Sequence, residues 1–170
     1  MINETKFILL MGCLLLSACN PLSDRHVADE KAATAMVGGD TASQDYWSGQ
    51  WRMINIWAEW CKPCWQEIPE LNQFFAAQEK MGVKLLGFNF DELERAELVI
   101  LKEKMSIQFP VLTQWPQSWT QPEIKGLPAT VILSPDDQII NILWGPQNFS
   151  TLSRSLDDAK KNIKDRFDEG

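Results

Sequence analysis

Two cysteines three residues apart limit this chain more than any other feature. They close the run Trp57-Ala58-Glu59-Trp60-Cys61-Lys62-Pro63-Cys64. An apolar stretch, Met53-Ile54-Asn55-Ile56-Trp57, leads in, and an amphipathic stretch from Trp65 to about Lys80 leads out. A strand that ends at Cys-X-X-Cys, with a helix starting there, is the pattern of a redox site. The helix start offers unpaired N–H groups and the positive end of the peptide dipoles, and both favour a thiolate on Cys61. Cys61 is therefore the expected nucleophile, and Cys64, one turn inside, the resolving thiol.

Other uses of such a pair fit less well. A disulfide closing so short a ring stabilises by only about 2 kcal/mol in the loop-entropy treatment, against ~3 kcal/mol for a 15-residue loop. Zinc needs about four ligands. No second Cys-X-X-Cys exists, and the single histidine, His26, lies far off near the N-terminus, so no metal site is expected.

The net charge is −7, with no Lys/Arg cluster, which argues against nucleic-acid binding. Eight tryptophans are present, and Trp47, Trp51, Trp57, Trp60 and Trp65 crowd the cysteine pair in sequence. Most are expected in the core, with one or two left for an apolar docking surface.

Residues 1–19 read as an export signal. Lys6 and the amino terminus give a positive start, diluted by Glu4, and Phe7 to Leu16 is apolar throughout. Ten residues rise only about 15 Å as a helix, half of a ~30 Å hydrocarbon core, so this is a signal core rather than a span. It ends in Leu16-Ser17-Ala18-Cys19, which resembles the lipobox of bacterial lipoproteins and implies lipidation at Cys19. By the same resemblance, Asn20 rather than Asp after that cysteine leans toward the outer membrane. Cys13 would leave with the signal, and Cys61 and Cys64 alone would remain in an oxidising compartment. Residues 20–45, rich in Asp, Ala, Ser, Thr and Gly with no sustained period, are expected to be a flexible tether with a reach of about 30 Å.

The globular domain is expected over 46–170. Gln50 to Trp57 reads as a central strand, apolar on both faces toward its end. The next helix carries Trp65, Ile68, Leu71 and Phe75 on one face and Pro69 inside it, where a kink is expected. Val83 to Phe90 reads as a strand, and Glu92 to Met105 as a helix with Leu93, Ala96 and Ile100 inward. Phe109 to Leu112 is a short extended piece. Leu127–Leu133 and Gln138–Trp144 form a hairpin about Ser134-Pro135-Asp136-Asp137. Ser150 is the expected cap of a last helix, whose Leu152, Leu156, Ala159, Ile163 and Phe167 make one apolar face. The order gives a mixed sheet between helices.

This order, with Trp60-Cys61-Lys62-Pro63-Cys64 after the first strand and Gly126-Leu127-Pro128-Ala129-Thr130 opening the hairpin, resembles the thioredoxin fold. The implied class is a three-layer α/β/α sandwich with a mixed central sheet. Ile54 to Cys61, Glu67-Ile68-Pro69, Phe109-Pro110-Val111-Leu112 and Gly126-Leu127-Pro128 narrow the resemblance to the TlpA/ResA branch of exported thiol–disulfide oxidoreductases. That branch commonly has an extra β-hairpin before the first strand. Residues 20–45 show no strand alternation, so the hairpin is expected to be missing or degenerate.

The resemblance assigns roles around Cys61 and Cys64. Pro128 is the cis-proline facing the disulfide. Asn55 stands where ordinary thioredoxins keep a buried Asp; it either eases thiolate formation by removing that charge or simply bonds backbone. Glu67, one turn beyond Cys64, is a carboxylate positioned to accept its proton, or else a solvated first-turn Glu. Glu59 matches ordinary thioredoxins rather than the branch, which often has a small residue there. From the residues themselves, Lys62 places a positive charge beside Cys61, and Pro63 stiffens the helix start at no hydrogen-bond cost. Trp60 is either a docking face or packing beneath the site.

The implied activity is a membrane-tethered reductant of disulfides in exported proteins, needing no cofactor. By resemblance its partners include apocytochrome c, with electrons from a membrane thiol reductase. The implied place is the periplasmic side of a membrane, held by the lipid on Cys19. A copper carrier of the same fold would need a longer cysteine spacing and a histidine, and a peroxiredoxin a Thr-X-X-Cys setting. A non-catalytic lipoprotein with a vestigial pair is the remaining alternative.

Overall fold

The structure, a computed structural model, describes residues 36–38 and 46–168. The signal, Cys19 and most of the tether lie outside the described residues. Six strands form one sheet: β1 (Met36–Val37), β2 (Trp51–Trp57), β3 (Val83–Asn89), β4 (Val111–Leu112), β5 (Ala129–Leu133) and β6 (Ile139–Trp144). Among the described residues three helices accompany them: α1 (Lys62–Met81), α2 (Arg95–Lys104) and α3 (Phe149–Asp168). The sheet order is β1-β4-β3-β2-β5-β6. β2 runs parallel to β3 and antiparallel to β5, and β5 and β6 form the expected hairpin. This is the mixed sheet of a thioredoxin-like α/β sandwich.

β2 is central because its side chains are buried on both faces, as a strand with two neighbours and two covering layers requires. Met53 and Trp57 point into one cluster, with Ile68, Leu71 and Phe74 of α1, Leu98 and Leu101 of α2, and Leu152, Leu156 and Ala159 of α3. Ile54 and Ile56 point into the other, with Leu86, Phe88, Val131, Trp47 and Trp119. No residue of the three helices belongs to that second cluster among the described residues. Irregular segments around 46–47 and 115–124 cover this face with aromatic rings. Trp47, Trp119, Trp115 and Phe88 meet edge to face in series, at centroid distances of 5.8, 5.6 and 5.4 Å. Several of the unusually many tryptophans thus do the covering that helices do opposite. Gly87 of β3 is required by close packing: a Cβ there would stand 3.1 Å from both the Trp57 indole nitrogen and the Phe109 ring.

Four expectations need correction. Met36–Val37 fall within the expected tether, yet they pair antiparallel with Val111 and Leu112 as an edge strand. Two residues are too few to show alternation, so only the pairing reveals them. Helix α2 buries Leu98 and Leu101, whereas Ala96 is exposed and Ile100 is 67% exposed. The run Leu98-Val99-Ile100-Leu101 supports more than one stripe of the same period, and the helix takes the one that continues to buried Met105. In α1 the fully buried phenylalanine is Phe74, and Phe75 is only partly buried. The cap of α3 is Asn148 rather than Ser150. Its Oδ1 accepts the Thr151 N–H at 2.9 Å, and Thr151 Oγ1 accepts the Asn148 N–H at 2.9 Å, a reciprocal pair. Leu152, Leu156 and Ala159 are buried as expected and Ile163 is half-buried, while the Phe167 side chain lies outside the described residues.

Candidate active site

The site stands where β2 ends and α1 begins. Cys61 is the N-cap of α1, with an extended backbone, and its Sγ accepts the Cys64 N–H at 3.3 Å. Cys61 and Cys64 are joined in a disulfide with S–S 2.02 Å. Cys61 is 4% exposed and Cys64 fully buried, so Cys61 is the more accessible of the two. Lys62 is exposed at the first helical position, and Pro63 follows at the second, where no helical N–H bond is lost. Gly82 closes α1 in the left-handed conformation at φ 60°.

The loop before Cys61 is pinned from three sides. The Trp65 indole N–H donates to the Glu59 carbonyl at 2.8 Å. The Glu59 carboxylate pairs with Lys104 at 2.6 Å. The Trp60 indole N–H donates to the Asp91 carboxylate at 3.0 Å, while its ring meets Phe90 edge to face at 6.3 Å. Trp60 is 66% exposed, so its outer face is free of packing, and with half-exposed Phe90 it forms an apolar surface next to Cys61.

One turn along α1 from Cys64 lies a buried polar group. Glu67, on α1 one turn beyond Cys64, is 2% exposed. Asn55, in mid-β2, donates from Nδ2 to Glu67 Oε1 at 2.7 Å and to Thr130 Oγ1 at 3.4 Å. The Gln147 N–H donates to Glu67 Oε2 at 2.8 Å. The carboxyl of Glu67 is pushed up to about 7, from an ordinary 4.5, because burial outweighs these two hydrogen bonds. The solvated alternative for Glu67, and the backbone-only alternative for Asn55, therefore do not describe what is seen.

The Leu127–Pro128 bond is cis and Pro128 is buried. The Pro128 carbonyl accepts the Gly145 N–H at 2.9 Å, which ties this turn to the end of β6. Sequence reasoning missed Thr130, Gln147, Phe90 and Asp91. Thr130 carried a signal, since strand pairing sets it directly opposite Asn55. Gln147 carried none, because it contributes only a backbone N–H from a loop.

Residues 25–142 match the model of the AhpC/TSA family. The chain is 26% identical over 134 residues to the thiol-disulfide oxidoreductase ResA of Geobacillus kaustophilus, covering 78% of this chain and 76% of the relative. It is 25% identical over 122 residues to the thioredoxin-like protein YneN of Bacillus subtilis, covering 71% and 72%. In fold it resembles a thiol:disulfide interchange protein of the thioredoxin family from Chlorobium tepidum, with TM-score 0.55 and 20% identity over 74% of this chain and 94% of the other. It also resembles StoA from Bacillus subtilis, with TM-score 0.53 and 23% identity over 63% and 82%.

Proposed function

The chain belongs to the AhpC/TSA family, and we propose that it works there as a thiol–disulfide oxidoreductase that reduces disulfides in exported proteins. The observation that carries this reading is the Cys61–Cys64 disulfide at a helix start, with buried Glu67 one turn beyond Cys64.

In the dithiol form, the Cys61 thiolate attacks one sulfur of a partner disulfide. The partner's S–S bond breaks, its other sulfur leaves as a thiolate and takes a proton, and a mixed disulfide forms. The Cys64 thiol then gives its proton to the Glu67 carboxylate. The Cys64 thiolate attacks Cys61 Sγ, the internal disulfide closes, and the partner's second sulfur leaves and is protonated. Two electrons pass to the partner, and a membrane thiol reductase restores the dithiol. Trp60 and Phe90 offer the apolar surface on which the partner rests. Pro128 faces the disulfide and borders the partner's backbone. Lys62 and the start of α1 favour the Cys61 thiolate.

The setting of this chemistry is the cell envelope. The motif at Cys19 supports a lipid anchor on the periplasmic side, with a lean to the outer membrane, and residues 20–35, before the docked edge strand, supply the tether. Partners are exported proteins with cysteines, apocytochrome c among them.

The test is covalent trapping. Cys64→Ser is expected to hold reductant-sensitive mixed disulfides in cells, while Cys61→Ser holds few or none. The reverse result would exchange the two roles, and no adduct with either variant would remove the oxidoreductase reading.

A further inference from the structure

The mechanism asks Glu67 to hold a proton and then release it inside the protein. Its surroundings suit only one of those states. Glu67 Oε1 takes the Asn55 amide N–H and Oε2 takes the Gln147 N–H, so both oxygens are matched as a carboxylate. Once protonated, the group carries an O–H that needs an acceptor. Gln147 offers only a backbone N–H there. Glu70, one turn farther along α1, has its carboxyl engaged by the Phe149 N–H at 3.0 Å. Cys64, one turn back, is in the disulfide. Asn55 of β2 and Thr130 of β5 are neutral.

One acceptor is spare. Asn55 Oδ1 is fully buried and has no hydrogen-bond partner. An orphan of that kind costs about 1–3 kcal/mol and calls for a reason. We propose that Asn55 is a positioning residue for Glu67 whose amide turns over when Glu67 takes up a proton, so that a donor toward the carboxylate becomes an acceptor for the acid. A half-turn about the terminal side-chain bond places Oδ1 where Nδ2 stood, 2.7 Å from Glu67 Oε1 and 3.4 Å from Thr130 Oγ1. The Thr130 hydroxyl both donates and accepts, so it follows the reversal by rotating. Oδ1 has no bond to lose in the turn; the cost falls on Nδ2, which gives up its two acceptors and moves to the position that Oδ1 leaves. The inference rests on the proton-accepting role of Glu67 proposed above, and it assigns Asn55 the task of keeping Glu67 bonded on both sides of the transfer.

The direct measurement is NMR of the oxidised, full-length protein with 15N in asparagine side chains and 13C in glutamate carboxyls, from about pH 5 to about 9. The Asn55 amide signals are expected to move with the same midpoint as the Glu67 carboxyl. An Asn55 amide that stays still while Glu67 titrates overturns the proposal. A kinetic arm uses Asn55→Leu and a peptide disulfide, with formation and resolution of the mixed disulfide timed separately. Resolution is expected to slow about tenfold, part of the 10²–10⁴ carried by a positioned acid–base group. Attack by Cys61 should stay within about twofold, since Glu67 takes no part in it. Equal slowing of both steps indicates a structural role alone and also overturns the proposal. Should the wild-type protein form no mixed disulfide at all, the oxidoreductase reading fails, while the NMR arm still decides whether the amide turns.

Discussion

Strand β2 sends two polar side chains into the protein, three residues apart and on opposite faces, and they meet opposite fates. Arg52 enters the aromatic face. Its guanidinium pairs with Asp137 at 2.5 Å, donates to the Ser134 carbonyl and lies over the Trp119 ring at 4.9 Å. Asn55 enters the helical face and meets Glu67, a buried acid with no cation among its hydrogen-bond partners. A buried charge given a counter-ion and an aromatic face stays charged and fixes structure. A buried acid given only neutral donors has its proton affinity raised toward neutrality, where it can take part in chemistry. The same strand thus supplies an anchor for the β5–β6 turn on one side and a support for the titrating group on the other.

The largest effect should come from removing the anchor. Arg52→Ala is expected to cost about 4 kcal/mol in urea unfolding. It empties a fully buried site under Trp119 and strips the Ser134 carbonyl of a donor. A loss below about 1 kcal/mol would mean that Arg52 is not an anchor.

The helical face predicts a pH dependence instead. The folded-state pKa of Glu67, about 7, lies above the ordinary 4.5, so the native state binds more protons between those values. Stability from this group is fully present below about pH 4.5 and is lost as pH rises through about 7. The full swing is on the order of 3 kcal/mol. Thermal melts of the oxidised protein should therefore fall between pH 5 and 8, and Glu67→Gln should flatten that slope. An unchanged slope in Glu67→Gln would assign the titration elsewhere.

How much of this was legible in the sequence follows the same division. The redox end was readable because its parts are local: a strand, a Cys-X-X-Cys, a helix with Gly82 beyond it, and Gly126-Leu127-Pro128 before the hairpin. Glu67 was readable as sharing a helix face with Cys64, because helical spacing fixes which residues lie together. Its link to Asn55 was not, since the two meet only when α1 packs on β2. The anchor was invisible: Arg52 read as one more residue in a strand, and its partners lie 82 and 85 residues away. The edge strand at Met36–Val37 was hidden likewise, because its pairing with β4 spans the domain. The inward stripe of α2 was misread where four consecutive aliphatic residues left the helical phase undetermined.

The smallest effect tests which part of the anchor matters. Asp137 is only partly buried, with 39% of its side chain exposed, so water can solvate it without Arg52. Its pairing is therefore worth far less than the burial of the guanidinium itself, nearer to the 0–1 kcal/mol of surface pairs. Asp137→Asn keeps the side-chain shape and an acceptor for the Arg52 N–H while removing the counter-charge. It is expected to cost about 1 kcal/mol, read from the urea midpoint with an unchanged slope. Asp137 also holds a left-handed backbone at φ 66°, which Asn tolerates well, so strain adds nothing to that figure. A cost equal to that of Arg52→Ala would show that the ion pair carries the anchor. The roles of Trp119 and the Ser134 carbonyl would then be secondary, and the contrast between the two faces would reduce to the presence or absence of one counter-ion.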